Sequence, residues 1–148
     1  MPTLPALTAQ HMMTSETLFL DTSGLLCLFD TGEARHGSAH EIFRQAKSLL
    51  TTNYVLAEFV PLTHVRGLNR EYVLKFLQTL VLLPRLELIW LDETLHARAM
   101  ALLENRLDKT YSLCDAASFI VMRERQITQT LTTDKHFVQE GFIKLLES

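Results

Sequence analysis

The chain has 148 residues, the usual size of one domain, and 47% of them are hydrophobic, enough to bury a core. Only 21% are charged, the net charge is −3 and the isoelectric point is about 6.0. This balance excludes the broad basic face of a general nucleic-acid binder, so contact with a phosphate backbone would need positive charge supplied locally. No apolar stretch approaches the ~20 residues that cross a bilayer, and the N-terminus lacks the basic and apolar regions of a signal peptide.

Residues 1–16 contain two prolines and scattered polar residues, and they predict a flexible leader. The remainder, 17–148, has no internal repeat and no linker, which predicts a single domain. Its two cysteines, Cys27 and Cys114, lie far apart and match no metal-binding or disulfide spacing. We therefore expect free, packed thiols and a cytoplasmic protein.

Strands and helices are predicted to alternate along the chain. Short apolar runs that end at polar turns predict strands at 17–20, 49–52, 86–91 and 127–132, with a last edge strand at 142–145. The segments between them predict helices at 25–29, 36–46, 53–60, 71–83, 93–106 and 113–125. Caps are expected at Thr52 or Asn53, at Asp92 and at Ser112, and Pro61 is expected to kink or interrupt its helix. Alternation of this kind predicts a three-layer α/β/α fold with a mostly parallel central sheet.

Four acidic residues fall where this fold would bring them together. In an open parallel sheet, ligands bind at the carboxyl ends of the strands. Asp21 ends the first strand, and Asp134 follows the strand at 127–132. Glu58 lies in the second turn of the helix after the second strand, and Asp115 lies in the first turn of the helix capped by Ser112. The pattern predicts a cluster of carboxylates at one edge of the sheet.

A carboxylate cluster suits a hard divalent cation. Mg²⁺ and Mn²⁺ prefer oxygen ligands. A cation held in this way can polarise a phosphodiester, orient an attacking water and stabilise the leaving oxygen. It also supplies the positive charge that this acidic chain lacks.

Each acid also has a purely structural interpretation. Asp115 completes the capping-box pattern S-x-x-D, Asp21 can begin a turn, and Asp134 can cap a short helix. Glu58 interrupts an apolar stretch, although it can face solvent. The joint placement of the four favours a site over these separate interpretations.

The other polar residues are less specific. Lys109, Lys135 and His136 flank the acids, and we expect solvated surface positions for them rather than contacts with phosphate. His36 and His40 share one helix at metal-ligand spacing but lack a matching acidic motif, so they are a weak candidate for zinc.

Four segments carry a family resemblance: LFLDTSGLLCLFD, TTNYVLAEF, YSLCDAASFIVMRERQI and LTTDKHF. In this order, with successive acids 37, 57 and 19 positions apart, they closely resemble the PIN-domain family, and most of all its VapC-type toxin branch. The resemblance runs from about Thr17 to Leu145.

The resemblance implies a site and an activity. PIN domains are α/β/α folds with a central parallel sheet and a carboxylate site for Mg²⁺ or Mn²⁺, and many of them cleave RNA. By motif position, Asp21, Glu58, Asp115 and Asp134 match the family's acids. Of these, Asp21, Asp115 and Asp134 are expected to bind the metal. The supporting polar positions are Ser23 and Thr133.

The expected function is therefore a metal-dependent endoribonuclease. Likeness to VapC toxins further implies an RNA substrate, a homodimer and a small antitoxin protein that covers the site, with no role for a membrane. The first alternative is a catalytically silent PIN scaffold that binds RNA or protein, which four intact acids disfavour. The second is a phosphatase-like hydrolase of a small phosphate ester, which the absence of a glycine-rich phosphate loop disfavours. The proline three residues after Glu58 and the N-terminal leader depart from the family pattern.

Overall fold

The computed structural model describes residues 17–148, and the predicted leader at 1–16 lies outside the described residues. Within 17–148, five strands and seven helices alternate along the chain. They are β1 (Thr17–Leu20), α1 (Thr22–Phe29), α2 (His36–Gln45), β2 (Ser48–Thr52), α3 (Asn53–Val65), α4 (Arg70–Val81), β3 (Leu86–Ile89), α5 (Glu93–Glu104), α6 (Leu113–Glu124), β4 (Gln129–Leu131), α7 (Lys135–Gln139) and β5 (Ile143–Lys144). In this part of the chain, no helix combines the length and the apolar character needed to cross a membrane.

The strands form one sheet in the order β3-β2-β1-β4-β5, and all four pairs are parallel. This confirms the predicted α/β fold and its central parallel sheet. The edge strand expected at 142–145 is confirmed as β5, which pairs with β4. The chain first builds outwards from β1 through β2 to β3, and then returns to add β4 and β5 on the other side of β1. The order of the strands therefore reverses between β1 and β4.

The two strands at this reversal are also the most deeply buried. Leu18, Phe19 and Leu20 of β1 are each at most 1% exposed, and all of β4 is buried. Burial on both faces explains the uninterrupted apolar run of β1. One group of rings joins α1, α3 and α4, and a second joins β1, α6 and α7. Cys27 and Cys114 are buried and free, as predicted.

Three of the predicted helix starts are confirmed by their caps. The Thr52 hydroxyl accepts the Val55 N–H at the start of α3, and the Asp92 carboxylate accepts the Leu95 N–H at the start of α5. Ser112 caps α6. Such caps depend on residues three positions apart, and the local sequence therefore specifies them.

The interruption predicted at Pro61 is wrong, because α3 continues through it to Val65. Proline removes the hydrogen bond to the carbonyl four residues earlier, which here belongs to Ala57. Both Ala57 and Pro61 are exposed. Water can therefore satisfy the freed carbonyl, and the helix continues past the proline.

Three strands are shorter than predicted, and β5 covers only Ile143–Lys144 of the predicted 142–145. β3 ends at Ile89 rather than at 91, because the Leu91 N–H donates to the Asn53 side chain at 2.8 Å and leaves the ladder. β4 covers only Gln129–Leu131 of the predicted 127–132.

Candidate metal and active site

The site lies where the strand order reverses. Leu20, the last residue of β1, is level with Leu131, the last residue of β4. Asp21 follows the first strand directly, and Thr132 to Asp134 follow the second. The crevice outside the carboxyl ends of strands at such a reversal is the usual ligand site of open α/β sheets.

A glycine allows α1 to begin directly against β4. A Cβ atom at Gly24 would lie 1.9 Å from the Leu131 carbonyl oxygen, so only glycine fits without a shift of backbone. The same carbonyl accepts the Asp21 N–H at 3.3 Å. Asp21 is the N-cap residue of α1, yet its side chain makes no capping hydrogen bond. Its carboxylate therefore lies at the end of the sheet and does not cap the helix.

Two hydroxyl groups orient the Asp21 carboxylate. Thr132 donates to Asp21 Oδ2 at 2.7 Å, and Ser23 donates to the same oxygen at 3.4 Å. The two hydroxyl oxygens lie 2.9 Å apart, and the Thr133 N–H donates to Ser23 Oγ at 3.0 Å. Ser23 thus lies beside Asp21 as the sequence predicts. Thr133 contributes its backbone, and the hydroxyl bonded to Asp21 belongs to Thr132, which sequence reasoning missed.

Asp115 combines a structural role with a place in the site. Its N–H donates to Ser112 Oγ and its Oδ2 accepts the Ser112 N–H, both at 3.0 Å, so the capping box is formed. The same Oδ2 lies 2.9 Å from Nδ1 of His136. Both hydrogen bonds end on Oδ2, and Oδ1 takes no part in them. The capping interpretation is correct and leaves one oxygen of the carboxylate for another partner.

Asp134 follows the same pattern. Its Oδ1 accepts the His136 N–H at 2.9 Å and caps α7, as one of the two interpretations of the sequence proposed. Oδ1 also lies 3.4 Å from Nδ1 of His136. Ligand atoms of Asp115, Asp134 and His136 all lie within 4.8 Å of one another. Across residues 17–148 this is the group able to hold a metal ion, and His36 and His40 belong to no such group.

The expectation that His136 is a solvated surface residue is wrong. The ring is half-buried between two carboxylates, with 18% of its side chain exposed. The sequence did contain a signal for this contact: His136 follows the N-cap residue Asp134 by two positions, which places its ring beside the capping carboxylate. Lys135 is exposed, and Lys109 lies 3.5 Å from Asp108.

Electrostatics connect Asp21 to this group. Burial raises the pKa of Asp21 to about 7, and the charges of Asp115 and Asp134 add to the rise. The hydrogen bonds from the Thr132 hydroxyl and from the Thr22 backbone N–H lower it in part. The pKa of Asp115 is also raised, first by burial and also by the charge of Asp134. Asp21 therefore interacts electrostatically with Asp115 and Asp134, but it lies outside the group of Asp115, Asp134 and His136 whose ligand atoms are within 4.8 Å of one another.

Glu58 approaches from α3 and is the exposed member of the predicted set. Burial raises the pKa of the Cys114 thiol, and the negative charges of Glu58, Asp21 and Asp115 raise it further. Glu58 therefore lies within electrostatic reach of the residue that precedes Asp115. It is outside the group of Asp115, Asp134 and His136.

Comparison with known proteins agrees with this geometry. Residues 18–142 match the family described as PIN domain. The 23S rRNA-specific endonuclease VapC20 of Mycobacterium tuberculosis is 32% identical over 129 residues, which are 86% of this chain and 97% of the relative.

Solved structures show the same fold. The crystal structure of M. tuberculosis VapC20, described as a sarcin-ricin loop cleaving toxin, aligns with a TM-score of 0.78 at 29% identity over 85% of this chain and 96% of that one. A toxin-antitoxin complex from Klebsiella pneumoniae has a TM-score of 0.61 at 15% identity, covering 88% and 99% of the two chains. VapBC2 from Rickettsia felis, bound to a promoter DNA fragment, has a TM-score of 0.59 at 16% identity, covering 86% and 96%.

Proposed function

The chain belongs to the PIN domain family, and we propose that it is a metal-dependent endoribonuclease that acts as the toxin of a toxin-antitoxin pair. One observation carries the proposal. Asp21 and Asp134 follow β1 and β4 where the strand order reverses, and ligand atoms of Asp115 and Asp134 lie within 4.8 Å of one another. Burial and the neighbouring negative charges also raise the pKa of Asp21 and of Asp115. Crowded carboxylates without a cation are costly, and a bound cation offsets that cost.

The donor set fits a hard divalent cation. Oδ1 of Asp115 and Oδ2 of Asp134 are outside the hydrogen bonds that cap α6 and α7. Together with Asp21 they would hold Mg²⁺ or Mn²⁺, because both ions prefer oxygen ligands. When bound, such an ion polarises the phosphodiester and lowers the pKa of water.

The chain's own residues would prepare the site for RNA. Thr132 and Ser23 hold Asp21 in one orientation by hydrogen bonds to Oδ2. Glu58, which is exposed and acts electrostatically on Cys114, would accept a hydrogen bond from the attacking water and position it. The negative charge of the cluster also explains why an acidic chain needs a cation before it can approach a phosphate.

The relatives indicate a substrate and partners. VapC20 cleaves 23S rRNA, and at 32% identity over 97% of that protein its substrate is the first to test here. The two more distant structures are toxin-antitoxin assemblies, and we propose that a small antitoxin covers the carboxylates of this chain. We further propose a homodimer and a cytoplasmic location, where ribosomes are found.

The test is cleavage of ribosomal RNA with mapped ends. Wild-type protein should cut RNA with Mg²⁺ or Mn²⁺ and should be inactive in excess EDTA. Asp134→Asn should lose at least about 100-fold in rate, as is usual when a group that stabilises the transition state is removed. Asp92→Asn is the matched control, since it changes an exposed aspartate cap at α5. Equal rates for Asp134→Asn and the control, or undiminished cleavage in EDTA, would contradict the proposal. A wild-type protein that binds RNA without cutting it would support the silent scaffold.

A further inference from the structure

The imidazole of His136 lies between the two carboxylates that cap neighbouring helices. Nδ1 is 2.9 Å from Asp115 Oδ2 and 3.4 Å from Asp134 Oδ1. These are the two oxygens already used by the caps of α6 and α7. In each carboxylate, the ring therefore contacts the oxygen that also caps a helix. The second oxygen of each carboxylate takes no part in these contacts.

The opposite side of the ring is also held. Nε2 accepts a hydrogen bond from the Thr110 hydroxyl at 3.2 Å, in the tautomer that places the proton on Nδ1. The Tyr111 ring packs edge-on against the imidazole, with centroids 5.2 Å apart. The Tyr111 hydroxyl donates to Glu140 at 3.2 Å, and the Glu140 side chain is only 4% exposed. The imidazole is thus fixed by the loop before α6 as well as by the two acids.

We propose that His136 is a positioning residue for two carboxylates. Its Nδ1–H donates to Asp115 and its backbone N–H donates to Asp134, so that the remaining oxygens of both carboxylates are held in place to bind the metal. The inference rests on the proposed metal site and goes beyond the set of four acids. Metal-bound carboxylates are commonly oriented by hydrogen bonds from outside the coordination sphere, and removal of such a partner weakens metal binding by roughly 10- to 100-fold.

The competing role is direct ligation of the metal by Nδ1. One nitrogen cannot donate a hydrogen bond to Asp115 and bind a metal at the same time. The two roles therefore predict different behaviour for two amide substitutions. His136→Asn retains an N–H near the position of Nδ1, whereas His136→Gln places its amide nearer to Nε2. A positioning role that depends on the Nδ1 donor is rescued by asparagine and not by glutamine.

The experiment measures Mn²⁺ binding to the metal-free protein without RNA, by electron paramagnetic resonance of the free ion. We expect His136→Ala and His136→Gln to bind Mn²⁺ roughly 10- to 100-fold more weakly than wild type, and His136→Asn to recover most of the loss. Val138→Ala is the matched control, because this side chain lies on the same short helix and is 53% exposed. It should bind as wild type does. If His136→Ala does not fold, the asparagine and glutamine variants still make the comparison.

Three outcomes would overturn the inference. The first is His136→Ala binding Mn²⁺ within twofold of wild type. The second is His136→Asn binding as weakly as His136→Gln, together with an imidazole nitrogen coupling in the spin-echo spectrum of bound Mn²⁺, which would make His136 a ligand. The third is a wild-type protein that binds no Mn²⁺, which would overturn the proposed metal site as well, whereas the first two leave that site intact.

Discussion

Replacement of Asp21 by asparagine should remove a pH-dependent loss of stability from the metal-free protein. Asp21 is 3% exposed, and its pKa rises from 3.8 to about 7, chiefly because burial disfavours the charged form. The folded protein therefore keeps a proton that the unfolded chain has already released. Stability is complete below the unfolded pKa and is lost as pH rises from about 4 through about 7.

The size of this loss follows from the shift. At about 1.4 kcal/mol per pKa unit, the rise costs about 4 kcal/mol of the free energy of unfolding at high pH. Of this, about 2.5 kcal/mol is lost between pH 5 and pH 8, equivalent to a fall of roughly 5–10 °C in Tm. Asp21→Asn has no charge to desolvate and can still accept the hydrogen bond from Thr132. Any packing cost of the amide is the same at both pH values, so it cancels in the comparison.

The assay is urea unfolding of both proteins in EDTA at pH 5 and pH 8. We expect wild type to lose about 2.5 kcal/mol more than Asp21→Asn between the two conditions. Asp92→Asn, an exposed cap remote from the cluster, should behave as wild type does. If wild type and Asp21→Asn lose the same free energy of unfolding, ionisation of the buried carboxylate does not destabilise the fold. The reasoning from burial would then be refuted.

Three further predictions concern the site, the fold and the leader. Mg²⁺ should raise the Tm of wild type and of Asp92→Asn by mass action but should raise that of Asp134→Asn much less, and equal shifts in thermal melts would contradict the assignment of Asp134. Gly24→Ala should destabilise by about 2–3 kcal/mol or more in urea unfolding, because its Cβ would meet a backbone carbonyl of β4. Gly37→Ala, whose Cβ would meet nothing within 4 Å, should be neutral or stabilising by up to about 1 kcal/mol. Deletion of residues 1–12 should leave Tm and RNA cleavage unchanged, since this segment has no apolar periodicity to bury. A large fall in Tm would show that it packs on the domain.

Features set by neighbouring residues were predictable from the sequence. The buried strand β1 follows from a short apolar run, and the caps at Thr52, Asp92 and Ser112 follow from groups three positions apart. The order of strands and helices, with the family resemblance, also identified the α/β fold. The resemblance then indicated which acidic residues form the candidate site.

Features set by tertiary packing were not predictable. The contact between His136 and Asp115 joins α6 to α7. The sequence shows that His136 follows an N-cap aspartate, but it does not show that the ring meets Asp115 of another helix. The choice between the hydroxyls of Thr132 and Thr133 depends on which side chain faces Asp21 at the end of β4. The continuity of α3 through Pro61 depends on solvent access to one carbonyl.

The most direct test of the metal site is anomalous diffraction from crystals of this protein soaked in Mn²⁺. The account predicts a manganese peak among the carboxylates of Asp21, Asp115 and Asp134, and its loss in crystals of Asp134→Asn. No peak at these carboxylates, or a peak only at His36 and His40, would contradict the account.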